Sequence, residues 1–343
     1  VSSLKGHVGN FGSEVKTPDG IELVSHGIVL VASGGTEYVP TEYLYGKDNR
    51  VVTQRELEAS IAEGKLDLPA NATIAMIQCV GSRNEERPFC SRRCCKEAVA
   101  NAIRVKEQRP EANVVVLYRD MRTYGASELT YQKAREMGVL FMRYDPERPP
   151  EVTDGDKLKL KFVDPDLGLP ASLSVDLLAL STGISPAASN EETSELAKIP
   201  INADGFFLEA HVKLRPVDFA SEGIFLCGSA HSPKSTVENM QQARAAAGRA
   251  ATILSKDKMT VGGQVSCVDV RKCVSCLTCV KVCPYGAPEI SVVNNKNRVE
   301  IQAAKCMGCG SCASDCPAKA IELRHFMDDQ IEAAIEALLE VVS

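Results

Sequence analysis

The chain lacks a long apolar run. No stretch of its 343 residues reaches the ~18 consecutive apolar positions that a membrane-spanning helix needs, and no signal-peptide pattern opens it. Direct membrane insertion is therefore not expected. It also lacks an excess of positive charge: 39 Lys and Arg against 45 Asp and Glu leave a net charge of −6. That balance disfavours nucleic acid, or an acidic membrane surface, as the main partner. The first residue is Val1 rather than Met, so the sequence reads as a fragment or a truncated form. Finally, no Gly-x-Gly-x-x-Gly lies between a strand and a helix, the place where a dinucleotide-binding half needs it. The nearest approach, Gly308-Cys-Gly310, falls inside a cysteine run.

What is present begins with an ordinary soluble composition, 44% hydrophobic and 24% charged, in a chain long enough for two or three domains. Fourteen cysteines require a reason. Secreted disulfide scaffolds are short and spread their cysteines through loops. Here Cys90, Cys94 and Cys95 form one dense group with Cys79 ahead of it, and Cys273–Cys283 and Cys306–Cys316 form two more. Dense runs joined by globular sequence read as metal sites in a reducing compartment, by default the cytoplasm.

Residues 273–284 read Cys-x2-Cys-x2-Cys-x3-Cys-Pro, and residues 306–317 repeat the pattern. Three thiolates two residues apart wrap a tight loop around one face of an iron–sulfur cubane, and the fourth reaches across to the other cluster. The spacing assigns Cys273, Cys276, Cys279 and Cys316 to one 4Fe–4S cluster. It assigns Cys306, Cys309, Cys312 and Cys283 to a second. Pro284 and Pro317 are expected to start a short helix after each run, and the small Gly308, Gly310 and Ser311 to let the backbone approach the cubane. Zinc knuckles use paired Cys-x2-Cys sets rather than runs of four ending in Pro. Cys267 and Cys227 read as small structural residues in strands.

Upstream of residue 257, short apolar strands alternate with helical segments. Strands are predicted at Gly27–Ala32, Thr73–Gln78, Val114–Tyr118, Leu177–Leu180 and Gly223–Cys227. Helices are predicted at Thr53–Glu63, Ser91–Gln108, Ser127–Met137 and Ser235–Leu254. The alternation argues an α/β fold with mostly parallel strands, with an added hairpin over 156–162 and 171–176. Asp328–Ser343 carries Ile331, Ile335, Leu338, Leu339 and Val342 at helical spacing, an apolar stripe expected to dock on its own body.

Two strands stop on glycine, at Ser33-Gly34-Gly35 and at Thr182-Gly183, with Pro40 and Pro186 a few residues on. A third piece, Gly223-Ile-Phe-Leu-Cys-Gly228-Ser229-Ala230, precedes a helix. Together they resemble the two-dinucleotide-binding-domain flavoproteins of the thioredoxin reductase class. In that class the N-terminus of the final helix faces the flavin pyrimidine edge, where partial positive charge stabilises a reduced anionic flavin. Ser235 or Thr236 can cap this helix. The resemblance implies FAD contacts from Gly34, Gly35, Gly183, Gly228, Ser229, His231, Lys234, Ser235 and Thr236. Ser229 stands where that class usually has Asp. With no pyrophosphate loop, the expected fold lacks its N-terminal ADP-binding half, which another polypeptide or a missing stretch would supply.

Where the second nucleotide domain should carry its glycine-rich loop, the chain reads Cys79-x10-Cys90-x3-Cys94-Cys95. Four thiolates at a helix N-terminus suit a negatively charged cluster. Arg83, Arg92, Arg93 and Lys96 are candidates to offset its charge, or form a solvated helix face. Zinc and a redox disulfide are the competing readings. Flavoprotein scaffold, Cys-x10-Cys-x3-Cys-Cys insertion, the Glu209–Asp218 segment and double ferredoxin module together resemble the heterodisulfide reductase A-subunit family, in its C-terminal part.

That resemblance implies three 4Fe–4S clusters and FAD in a multisubunit oxidoreductase. It further implies heterodisulfide-reductase-like partner subunits, with a hydrogenase, formate dehydrogenase, ferredoxin or quinone module. The expected domains are 1–68 (FAD-domain portion), 69–182 (NAD(P)-binding-like, with the four-cysteine insertion), 183–256 (second FAD portion), 257–325 (ferredoxin) and 326–343 (amphipathic helix). Members that bifurcate electrons are expected to place a Lys five residues after the cysteine pair. Here Ala100 stands there, which favours a relay, with Lys234 or His231 as possible substitutes for the missing cation. An electron-bifurcating flavoprotein and a flavin-free relay or scaffold remain the alternatives.

Overall fold

The computed structural model describes residues 1–260, 262–293 and 296–342, the side chains at 293, 296 and 340–342 excepted. Along the chain the elements are β1 (Ser3–His7), β2 (Asn10–Thr17), β3 (Gly20–His26), β4 (Val29–Val31), β5 (Gly35–Glu37) and β6 (Val51–Thr53). Then come α1 (Gln54–Ala62), β7 (Thr73–Val80), α2 (Cys94–Gln108), β8 (Asn113–Tyr118), α3 (Ser127–Glu136) and β9 (Leu140–Arg143). They are followed by β10 (Glu151–Thr153), β11 (Leu158–Asp164), β12 (Leu169–Val175), β13 (Leu177–Thr182), β14 (Ile184–Pro186), α4 (Asn190–Ala197), β15 (Ile224–Leu226) and α5 (Thr236–Leu254). The last are β16 (Ser266–Val268), α6 (Thr278–Val282), β17 (Pro288–Val293), β18 (Lys296–Ile301), α7 (Ser311–Ser314), β19 (Ile321–Leu323) and α8 (Asp328–Val342).

Two compact units emerge. One comprises Gly34–Ala187 with Ser232–Asn239; the other comprises Val1–Ser33, Ala188–His231 and the described residues from Met240 onward.

The first unit is built on a five-stranded sheet in the order β6-β13-β7-β8-β9, with every neighbouring pair parallel. β13 is buried along its whole length, as a central parallel strand with both faces covered must be. On one face Leu57, Ile74, Met76, Ala98, Val99, Ala102 and Val116 pack under α1, α2 and α3. On the other, Ile77, Leu117, Leu178 and Leu180 meet Leu158, Leu160 and Phe162 of the antiparallel β10-β11-β12 sheet. Each fully buried Val, Leu, Ile, Phe or Met among them contributes about 1.5–3 kcal/mol. α1 opens on a capping box: Thr53 Oγ1 accepts from Glu56 N (3.2 Å), and Glu56 Oε2 accepts from Thr53 N (2.7 Å). α2 begins at Cys94 rather than at Ser91, because the Ser91 hydroxyl is used elsewhere, accepting the Ile184 N–H at 2.8 Å.

The second unit opens on an antiparallel meander, β1-β2-β3, that apolar runs did not predict. Its signals are the turns around Gly9 (φ +84°) and Pro18-Asp19, not hydrophobicity, since β3 is exposed along nearly all its length. The β4–β15 pair is parallel, and Val8, Phe11, Val31, Phe207, Phe219 and Leu226 form the core around it. Buried Asp218 is held by Arg249, Nη2 to Oδ1 at 2.9 Å. Near the C-terminus, the β17–β18 hairpin, the β16–β19 pair and the short helices α6 and α7 enclose a small core of Cys279, Val299, Cys312, Cys316, Ala320 and Ile321. Cys227 is buried directly after β15. Cys267 is half-buried in β16, its thiol 3.5 Å from Glu322 O. α8 does not pack its stripe on the body: Ile331, Ile335, Leu338 and Leu339 are 42–68% exposed. The Val342 side chain and Ser343 lie outside the described residues.

Candidate metal centres

The two cysteine runs near the C-terminus are built alike. In each, the residues flanking the second cysteine adopt left-handed backbone: Ser275 (φ +59°) and Leu277 (+62°) in one, Gly308 (+66°) and Gly310 (+78°) in the other. This conformation curls the loop inward, and it is the reason for glycine in the second run. At Gly308 a Cβ would also lie 2.5 Å from Gln264 O. The second cysteine of each run lies near a hydroxyl two residues on, Cys276 to Thr278 at 3.4 Å and Cys309 to Ser311 at 3.5 Å. Those hydroxyls, with the backbone N–H groups beside them, hold both exposed thiols below the usual cysteine range. Burial pushes Cys279 and Cys312 up.

The fourth cysteines match as well. Ala287 N donates to Cys283 Sγ (3.4 Å) and Ala320 N to Cys316 Sγ (3.3 Å), each from four residues further on. The structure brings Cys273, Cys276, Cys279 and Cys316 around one cavity, and Cys283, Cys306, Cys309 and Cys312 around another. One expectation is corrected. Pro284 and Pro317 start turns, not helices, and the short helices α6 and α7 precede the fourth cysteine. Left-handed Gly286 (φ +62°) and Lys319 (+46°) end each segment before a helical turn forms.

Cys79, Cys90, Cys94 and Cys95 gather at the C-terminal ends of β7, β8 and β13, the edge where open α/β sheets bind ligands. Cys79 has a left-handed backbone (φ +64°) at the point where the β13–β7 register shifts. Cys94 and Cys95 lie in the first turn of α2, and Arg92 N donates to Cys90 Sγ at 3.3 Å. The four thiols are within electrostatic reach: Cys90 raises Cys79, and both of these raise Cys94 and Cys95. Burial is the larger cause: it pushes Cys79 and Cys94 up and carries Cys95 to about 11.

Of the four cations the sequence nominated, Arg83 has its guanidinium against a thiol, with Nη1 4.0 Å from Cys79 Sγ. Arg92, however, pairs with Glu238, Arg93 with Glu97, and Lys96 lies over the Tyr124 ring. Their places are taken by Arg119 and Arg122, on the loop after β8. Arg119 lowers Cys79 electrostatically, and the Arg122 backbone N–H bonds Cys95. A basic pair directly after a strand that runs parallel beside β7 is the signal that could have found them.

Strand-end glycines serve this loop as well. A Cβ on Gly183 would lie 2.7 Å from Gly81 O, and a Cβ on Gly81 would lie 2.0 Å from the Tyr38 ring. Gly35 is pressed against Ile184 and Ser185, whereas left-handed Gly34 (φ +76°) has open space above it. Around α5, Ser235 is the cap: its hydroxyl lies 3.4 Å from Glu238 N, and Ser235 N donates to Glu238 Oε2 at 2.8 Å. Thr236 is the first helical residue. Lys234 Nζ folds back on Ser232 Oγ (2.7 Å). Gly228 and Ser229 lie in a single 3-10 turn, where Gly228 N donates to Gln242 Oε1 at 2.9 Å. That bond orients the Gln242 amide to donate to His231 Nδ1 (2.8 Å), leaving His231 Nε2 to donate to Glu209 (2.7 Å).

Among the described residues, no group of three or more His, Cys, Asp or Glu side chains is drawn together around a single ion, and no two cysteines form a disulfide. Cubane ligands each bind a different iron, so they stand apart from one another. Residues 243–320 match the family model of the 4Fe–4S dicluster domain. Over 340 residues the chain is 37% identical to the A-subunit of the H2:CoB-CoM heterodisulfide, ferredoxin reductase of Methanothermobacter thermautotrophicus, covering 94% of this chain and 50% of that protein. It is 39% identical over 280 residues to the iron–sulfur A-subunit 2 of CoB–CoM heterodisulfide reductase from Methanopyrus kandleri, covering 77% and 43%.

The chain belongs to the heterodisulfide reductase A-subunit family.

A heterodisulfide reductase A-subunit-like protein of Archaeoglobus profundus adds 34% identity across 97% of this chain and 47% of its own length. The chain thus spans about half the length of the curated relatives it matches. Its C-terminal region is a ferredoxin-type 4Fe–4S domain. Lactococcus lactis thioredoxin reductase (FR conformation) superimposes on 75% of this chain and 74% of its own at 17% identity, with a TM-score of 0.47, a likeness too slight to carry an argument. Among the described residues no helix is long and apolar enough to cross a membrane.

Proposed function

We propose that this member of the heterodisulfide reductase A-subunit family is an FAD- and iron–sulfur-containing electron-transfer component of a multisubunit oxidoreductase in the cytoplasm. It relays electrons between a flavin, a 4Fe–4S cluster on Cys79, Cys90, Cys94 and Cys95, and two ferredoxin-type clusters. The observation that carries this reading is the gathering of those four thiols at the C-terminal edge of the parallel sheet, where a glycine-rich nucleotide loop would otherwise stand. The donor set fits the group. Four cysteines, left-handed backbone at Cys79, Gly81, Arg83 and Arg92, and a helix N-terminus would supply thiolates and backbone N–H groups to an anionic cluster. The bound clusters supply one-electron chemistry; the protein supplies burial, orientation and compensating charge.

FAD would sit against Gly34, Gly35, Gly183, Gly228, Ser229, His231, Lys234, Ser235 and Thr236, the capped N-terminus of α5 lending partial positive charge. An N-terminal ADP-binding half, in another polypeptide or a further stretch of chain, would complete that site. The exposed edge strand β3, with Ile21 and Leu23 66% and 79% exposed, is a surface that a partner chain would cover. Further partners are heterodisulfide-reductase-like subunits, with a hydrogenase, formate dehydrogenase, ferredoxin or quinone module. Ala100, half-buried on α2, offers the flavin no cation, which favours a relay over electron bifurcation. Quantifying flavin and iron in the native complex tests the whole reading: one FAD and about twelve irons per chain support it, from the four irons that each set of four cysteines implies. A flavin-free complex, or about eight irons, overturns it.

A further inference from the structure

The Cys79, Cys90, Cys94 and Cys95 site, with Cys94 and Cys95 buried and Cys79 and Cys90 half-buried, differs from the ferredoxin pair in its charged surroundings. Cys279 and Cys312 have only other thiols as charged neighbours of note, and Arg298 faces the Cys273 carbonyl (3.5 Å). Around the other four, three guanidinium groups converge from two loops. Arg83 comes from the loop after β7 and lies 4.0 Å from Cys79 Sγ. Arg119 and Arg122 come from the loop after β8, which the parallel β7–β8 pairing puts alongside.

The three are fixed by bonds among themselves. Arg119 Nη1 donates to Arg83 O (2.8 Å), and its Nε donates to Tyr144 Oη (3.1 Å). Tyr144 in turn donates to Gln78 O (2.8 Å), one residue before Cys79. Asp120 bridges Arg83 and Arg122, taking Arg122 Nε at 2.7 Å. Three positive charges and one carboxylate thus face four thiols. Of the other carboxylates nearby, Glu97 on α2 is paired with Arg93, and Glu37 accepts from Thr182 Oγ1 at 2.5 Å.

We propose that Arg83, Arg119 and Arg122 set the reduction potential of the cluster on Cys79, Cys90, Cys94 and Cys95, keeping a buried site reducible. The inference rests on the four-cysteine reading above. On reduction the cluster gains one electron and no proton, and the donor loses one electron; the site becomes one charge more negative. Burial opposes that added charge, while fixed cations favour it. Asp120 works against them by partly neutralising Arg83 and Arg122. Arg119, anchored by a neutral phenol and a carbonyl, keeps its full charge toward Cys79. These are positioning residues: they touch the ligand loop and act on the cluster through their field.

The test is a potentiometric EPR titration of the cluster-loaded protein with dithionite as reductant, following the signal that Cys94→Ser removes. Arg119→Gln is expected to shift the reduction equilibrium about tenfold toward the oxidised state, about 59 mV more negative for one electron. Arg119→Lys, which keeps the charge, should restore most of it. Asp120→Asn should move the potential the opposite way, and Arg122→Gln should repeat the Arg119→Gln shift if that variant folds poorly. The ferredoxin-type signals should not move in any variant. A third cluster whose potential ignores all four substitutions, or moves alike in Arg119→Gln and Asp120→Asn, overturns the proposal alone. Absence of any third signal in the unsubstituted protein overturns the four-cysteine reading and this proposal with it.

Discussion

Arg92 and Glu238, 146 residues apart in sequence, form an ion pair. Arg92 lies between Cys90 and Cys94, and its own N–H bonds Cys90 Sγ. Glu238 is the carboxylate of the capping box that opens α5. One contact therefore joins the cysteine loop to the helix proposed to face the flavin, with Tyr124 Oη 3.3 Å from the same carboxylate.

A double-mutant cycle on Arg92→Gln and Glu238→Gln should give a coupling of about 0.5–1 kcal/mol, the range for a partly exposed pair. Glu238→Gln alone should cost more than Arg92→Gln, because it also weakens the cap on Ser235, which is worth about 1 kcal/mol. Urea unfolding of the four proteins measures both quantities. A coupling indistinguishable from zero would mean that the pair does not tie the loop to the helix.

Replacing Cys94 with Ser should remove one cluster of three, so that iron falls from about twelve to about eight per chain. The hydroxyl can keep the bond that Cys94 makes to Thr182 O (3.2 Å), so the fold should survive. Iron analysis with EPR of the ferredoxin pair checks it. Eight irons in the unsubstituted protein would refute the assignment.

The 343-residue chain by itself should bind FAD weakly, because its sequence carries no Gly-x-Gly-x-x-Gly to hold the pyrophosphate. Adding a polypeptide with that loop should bring stoichiometric binding, read by flavin fluorescence after gel filtration. Tight stoichiometric FAD in the lone chain would show the pyrophosphate site to be elsewhere.

Gly183→Ala should destabilise the first unit by about 1–3 kcal/mol, the usual cost of overpacking. The new methyl would meet backbone, Gly81 O at 2.7 Å, which cannot swing aside as a side chain would. It should also lower iron at the Cys79 site ahead of the ferredoxin pair. Unchanged stability and iron would show that the strand ends have room to separate.

Acid should loosen the turn around Arg50. The Arg50 guanidinium, bonded to Asp48 at 2.6 Å and to Asp154 at 2.5 Å, lowers the Asp48 carboxyl from 3.8 to about 2. A depressed carboxyl adds stability that is complete above its unfolded value and is lost as pH falls through the folded one. Stability should therefore decline between pH 3.8 and about 2, and Asp48→Asn should flatten that part of the curve. Chemical denaturation at stepped pH reads this directly; an unchanged acid limb in Asp48→Asn would place the lost protons elsewhere.

Some of this protein was determined by local sequence. Thiolate spacing groups the eight ferredoxin cysteines, because a loop of three and a distant fourth leave few ways to enclose a cubane. The central strands were legible because a parallel strand buried on both faces is dominated by apolar residues, as β7 and the Leu177–Leu180 part of β13 are. The helix expected over Thr53–Glu63 forms as α1, and its capping box of Thr53 and Glu56 is complete within four residues, so local sequence suffices to place it.

What only the tertiary structure decided depends on neighbours distant in the chain. The meander β1-β2-β3 hides from hydrophobic pattern because β3 presents nearly all of its side chains to solvent. Arg119 and Arg122 replace Arg92, Arg93 and Lys96 around the thiols because strand order puts the loop after β8 beside the loop after β7. Sequence records which residues are cationic; only strand order fixes which of them share one low-dielectric corner, where a few ångströms decide the strength of a charge.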